Sequence, residues 1–94
     1  MIINFRSSET KLLFEGYKSR LYPPDIQKTA LRKLLVLDAA TSINDLRVPP
    51  ANRLEKLAGD RQGQYSIRIN NQWRICFVWT DHNNVDQVEI VDYH

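Results

Sequence analysis

Tyr65-Ser66-Ile67-Arg68-Ile69-Asn70-Asn71-Gln72-Trp73-Arg74-Ile75-Cys76-Phe77-Val78-Trp79 is the stretch that decides the architecture of this chain. Tyr65, Ile67 and Ile69 alternate with Ser66 and Arg68, and Trp73, Ile75, Phe77 and Trp79 alternate with Arg74, Cys76 and Val78. A period of two marks strands buried on one side. Asn70-Asn71-Gln72 is a tight polar turn between them, and Asp81-His82-Asn83-Asn84 a second turn, after which Val88 and Ile90 carry the stripe of a third strand. If Ile75, Phe77, Val88 and Ile90 face a core, Arg68, Arg74 and Tyr93 emerge on the opposite, open face of an antiparallel meander.

Upstream, Gly59-Asp60-Arg61-Gln62-Gly63 reads as a loop. Pro49-Pro50 forbids a continuous helix or strand through residues 41–57, which read as a connector with a turn or two of helix that includes Leu54 and Leu57. Before it, Pro23-Pro24-Asp25 opens a helix with Ile26, Ala30, Leu34 and Leu37 on one stripe at helical period, reinforced by Leu31 and Leu35. A shorter helix precedes it, with Ser7 as N-cap, Glu9 in the first turn, Leu12, Leu13 and Phe14 on its buried side and Gly16 to end it. Residues 2–5 suit a short strand. Strand, two helices, connector and three-stranded meander make an α+β fold of two layers, with the helices covering one face of the sheet.

A chain of 94 residues buries roughly 60 to 70% of its unfolded surface, enough for one core and one domain spanning residues 1–94. The first six residues are too few and too soon charged for a secretory leader, and no run approaches the ~18 apolar residues of a membrane span. Cys76 stands alone and forms no internal disulfide. These features predict a soluble, cytoplasmic protein with no membrane partner. Residues 1–57 carry ten Lys and Arg against six Asp and Glu, and residues 58–94 three against five. That asymmetry suits a surface that meets phosphate, though ordinary solvated helix faces share it. His82 and His94 lack metal-ligand spacing, and there is no glycine-rich phosphate loop or nucleophile elbow, so the expectation is neither metal nor cofactor.

Four segments in order carry a more specific signal: residues 45–55, Asp45-Leu46-Arg47-Val48-Pro49-Pro50-Ala51-Asn52-Arg53-Leu54-Glu55; residues 59–70, Gly59 to Asn70; Gln72-Trp73-Arg74-Ile75-Cys76-Phe77; and the closing Val88-Glu89-Ile90-Val91-Asp92-Tyr93-His94. Together they resemble the HigB-type killer toxins of the RelE/ParE superfamily over nearly the whole chain. The resemblance implies a bacterial toxin encoded with a HigA-type helix-turn-helix antitoxin, through whose complex alone it would meet operator DNA. Better-studied relatives enter the ribosomal A site and cleave the messenger RNA being translated, whereas ParE-type members poison DNA gyrase. The fold alone does not decide between ribosome and gyrase.

RNA cleavage by internal attack needs a base near the 2′-hydroxyl, an acid for the departing 5′ oxygen and positive charge on the phosphate. His94 is the leading proton carrier, because an imidazole titrates near pH ~6.5. Tyr93 offers a ring to stack on a base or a phenol to move a proton, and Asp92 a carboxylate to orient a neighbour. Arg61, Arg68 and Arg74 are the phosphate candidates, since a guanidinium fork matches phosphate oxygens. Arg74, in mid-strand, has a structural alternative in a pair with Glu89 across the meander, whereas Arg61 has no evident packing role. Arg53 and Arg47 lie in the connector, where they touch ribosomal RNA or face water. Some relatives place a His and a Lys just before Gly-Asp-Arg, but here those positions are Glu55 and Ala58. Glu55 then becomes a candidate base. Trp73 and Trp79 read as core or sheet-edge packing, and Cys76 as an inert thiol.

Overall fold

Ser7 has extended backbone and its hydroxyl accepts the Thr10 N–H at 3.2 Å, so helix α1, Ser8–Phe14, begins where the sequence places it. Gly16, at φ 93°, ends it: the Gly16 N–H donates to the Leu13 carbonyl and the Tyr17 N–H to the Leu12 carbonyl, a Schellman closure. Pro24 starts helix α2, Pro24–Ala39, which buries Ile26, Ala30, Leu34 and Leu37. Leu31 is half-buried, but Leu35 is exposed rather than part of the stripe, because it lies about 100° round the helix from Leu34. The computed structural model describes residues 1–92.

The sheet has four strands in sequence order, all antiparallel: β1 Glu55–Lys56, β2 Tyr65–Arg68, β3 Trp73–Trp79 and β4 Val85–Asp92. Strand β1 corrects the reading of that segment as helical turn. The 3-10 turns fall earlier, at Ile43–Arg47 and Pro50–Asn52, after which the chain extends and the Leu57 N–H donates to the Gln64 carbonyl at 2.9 Å. Two residues of strand escape a periodicity test that needs four or more.

Strand β4 carries a bulge. Cys76 faces Glu89 while Val78 faces Asp86, so β4 has one extra residue, with Gln87 at φ 51°. The irregularity returns Val88 to the side of Val85, and both are fully buried. Along the outer edge of β4, residues expected to form a strand make two isolated parallel bridges instead, Ile2 to Val85 and Phe5 to Val88, because the bulge interrupts a regular ladder. Further along that edge Thr10 Oγ1 accepts the Ile90 N–H at 3.0 Å and bonds the Tyr22 hydroxyl at 2.9 Å. The edge is thereby satisfied by α1 and the amino-terminal segment.

Both helices cover one sheet face, where Leu34 and Leu37 meet Ile67, Ile75, Phe77 and Val88 in one buried cluster. Trp73 packs edge-on to Tyr22, ring centres 5.7 Å apart, and Trp73 and Trp79 border the core as their stripe predicts. Asn52, fully buried, donates to the Leu46 and Val48 carbonyls and accepts from the Lys33 ammonium, tying the connector to α2. Burial there, and then Arg32, pull the Lys33 ammonium below its ordinary pKa.

Thr10→Val keeps the shape of a buried side chain but removes the acceptor for the Ile90 N–H. We expect about 1–3 kcal/mol lower stability in urea unfolding with an unchanged denaturant slope. Wild-type stability would show that the Thr10 hydroxyl does not hold α1 to β4.

Candidate functional site

On the sheet face turned away from the helices, cross-strand register sets one row as Glu55, Ser66, Cys76 and Glu89, from β1 to β4. The adjoining row is Arg68, Arg74 and Val91. Side chains in such rows are neighbours, so carboxylates and guanidiniums interleave across the face.

Arg74 does not emerge into solvent as the period of two suggests; only 8% of it is exposed. Its Nε donates to Ser66 Oγ at 2.8 Å, its Nη2 to the Arg53 carbonyl at 2.7 Å and the Ser66 carbonyl at 3.4 Å, and Glu55 Oε2 lies 3.7 Å from Nη2. A guanidinium taken out of water needs several acceptors at once, and the connector folding back over β2 supplies them. The carboxylate that meets Arg74 is therefore Glu55, and Glu89 takes Arg61 instead. Arg61 Nη1 donates to Glu89 Oε1 at 2.8 Å and to Gln64 Oε1 at 3.1 Å, with Arg6 Nε 3.9 Å from the same Glu89 oxygen. Arg61 thus has a packing role after all, across 28 positions of sequence that no spacing rule spans.

At the centre of the face Cys76 is fully buried. Burial pushes its thiol up from the ordinary value, Arg61 and Arg74 pull it down, and Glu89 and Glu55 push it up. All four charged groups therefore act on one buried atom. The net rise keeps the sulfur protonated and unreactive.

Glu55 and Ala58 line, with Lys56, Leu57, Asp60 and Arg61, a cleft of about 360 Å³. Arg68 is half-buried at the hairpin end and donates to Asn71. Arg53 is exposed, at φ 46°, and enters the cluster through its carbonyl. Asp92, opposite Trp73, is exposed at the sheet rim and accepts from Gln72 Nε2 at 3.0 Å. Tyr93 and His94 lie outside the described residues. Among the described residues no three His, Cys, Asp or Glu side chains form a set that could hold a metal ion. Sequence reasoning missed Arg6, Ser66 and Gln64 as members of the cluster. Ser66 was findable, because it shares the face of Arg74 by parity.

This arrangement offers a solvent-reachable carboxylate at Glu55, fixed cations beside it and a dry floor, the parts needed to take a proton from a hydroxyl and neutralise a phosphate. The fold aligns with a chain of the YoeB-YefM toxin-antitoxin complex from Staphylococcus aureus, with a TM-score of 0.60 and 20% identity over 100% of this chain and 98% of that one, which makes it a RelE-like α+β fold. The family model described as RelE-like toxin of type II toxin-antitoxin system HigB matches residues 3–94, and the chain belongs to that family. It is 43% identical over 82 residues to Toxin HigB-1 of Vibrio cholerae, covering 86% of each chain. It is 35% identical over 95 residues to Endoribonuclease HigB of Proteus vulgaris, covering 100% of both chains.

Two outcomes follow from this geometry. Arg74→Lys keeps the charge but cannot reach Ser66 Oγ and the Arg53 carbonyl together, and should lower stability in urea by about 1–3 kcal/mol; an unchanged midpoint would show that the fork is dispensable. Because burial raises the Cys76 pKa, alkylation in the folded state should stay slow above the pH at which a free thiol reacts, and become complete in urea. Fast labelling of the native chain would place the sulfur in solvent.

Proposed function

We propose that this chain is the toxin of a type II toxin-antitoxin system, an mRNA endonuclease that inhibits translation by cutting messages on the ribosome in the cytoplasm. A HigA-type helix-turn-helix antitoxin neutralises it, and the toxin meets operator DNA only within that complex. Family membership and the likeness to a protein named Endoribonuclease HigB support this reading. The observation that carries it is the convergence of Glu55, Arg61 and Arg74 around one dry spot of the outer sheet face.

In this mechanism Glu55 takes the proton of the attacking 2′-hydroxyl, filling the position where some relatives carry His. Arg61, with Arg74 behind it, neutralises the charge that builds on the phosphate oxygens. His94 gives a proton to the departing 5′ oxygen, Tyr93 stacks on the adjoining base or relays a proton, and Asp92 orients its neighbours. Arg68 and Arg53 hold flanking phosphates of the message or of ribosomal RNA. No metal or cofactor takes part. The ribosome holds the message in attack geometry, so a sparse catalytic set suffices and free RNA is a poor substrate.

Translation of a defined message with purified ribosomes, followed by mapping of its 5′ ends, tests this directly. Wild-type protein should create new ends within the translated frame, and Glu55→Gln and Arg61→Ala should each slow their appearance by about 100-fold or more. An intact message with wild-type protein, together with inhibited supercoiling by purified gyrase, would instead assign the chain a non-enzymatic poison's role.

A further inference from the structure

A second surface lies in the helix layer, away from the charged cluster. Between α1, α2 and their linker runs a groove of about 880 Å³ floored by Leu13, Tyr22 and Leu31. Tyr17, 64% exposed, lines it, Leu21, 61% exposed, follows on the same linker, and the exposed Leu35 continues the line of Leu31 along α2. Its charged lining residues, Lys18, Arg20 and Lys28, are all cations.

The linker that presents Tyr17 and Leu21 is fixed in place. Ser19, buried, donates from Oγ to Glu9 at 2.7 Å and accepts the Leu21 N–H at 3.1 Å. Gln27 accepts the Ser19 N–H at 3.1 Å and donates to the Ser19 and Tyr22 carbonyls at 2.7 and 2.9 Å. This network holds two large apolar side chains in water where a slack linker would let them collapse. Such a preformed apolar patch costs little ordering when a partner docks.

We propose that this groove receives an acidic amphipathic helix of the antitoxin, a location that rests on the toxin-antitoxin reading above. Its walls are helix side chains and a linker, with no strand edge among them, so a partner binds through side chains rather than by adding a strand. Apolar side chains of the partner helix fill the space over Leu13 and Leu31 and against Leu21. Its carboxylates meet Lys18, Arg20 and Lys28, which makes association weaken with salt.

Calorimetric titration of purified full-length toxin with its cognate antitoxin, at low and high salt, is the test, with message cleavage on ribosomes measured in parallel. Leu21→Asp and the double variant Lys18→Glu/Lys28→Glu alter exposed positions and should fold normally. Each should weaken antitoxin binding by about tenfold or more, and the double variant should also lose most of the salt dependence. Cleavage rates should match wild type. Antitoxin affinities within about twofold of wild type, or no antitoxin binding by the wild-type chain, overturns the proposal. Reduced cleavage with intact antitoxin binding also overturns it, making the groove an RNA contact. Wild-type protein that binds antitoxin but cuts no message would sink the catalytic reading and leave the groove standing.

Discussion

A guanidinium buried between strand and connector organises both the sheet and its candidate site. Arg74 is withdrawn from water and must find acceptors, and those within reach belong to β2, to Arg53 two residues before β1 and to the side chain of Glu55. Satisfying it therefore fixes where the connector lands. Strand β1 can be as short as two residues because this anchor, together with the Leu57 to Gln64 bond, holds it against β2. The same anchor sets Glu55 at the mouth of the cleft, so one interaction links fold to chemistry.

Around Arg74 the charges alternate rather than accumulate. Glu89 gathers Arg61 from the loop and Arg6 from the amino-terminal segment, while Glu55 stands beside Arg74. Bare arginines at this density would repel one another, and the intervening carboxylates reduce that cost while restricting each fork. A phosphate arriving at the cleft would meet cations already oriented by the fold. Little reorganisation is then needed when charge develops, which is how fixed dipoles and charges lower a barrier.

Long periodic elements were legible in the sequence. Helix α2 and strands β2 and β3 follow from apolar spacing, and the Ser7 cap and Gly16 closure from residue type. Strand β1 was not legible, because two residues carry no period, and neither was the bulge at Gln87, which breaks the rule of two that located its strand. In the cluster, residue type and parity pointed to Arg74, residue type alone to the loop residue Arg61, and the family resemblance to Glu55. Their partners were misassigned because pairing depends on how the connector folds back, a tertiary fact. Family resemblance supplied the reaction; the residues by themselves supplied only groups able to do it.

Cryo-electron microscopy of the toxin on a translating ribosome, loaded with a message whose A-site 2′-hydroxyls are methylated to block attack, examines the account most directly. The scissile phosphate should lie against Arg61 on the outer sheet face, with the Glu55 carboxylate within reach of the blocked ribose oxygen. A message held instead against the helix layer, with Glu55, Arg61 and Arg74 facing solvent, would contradict it.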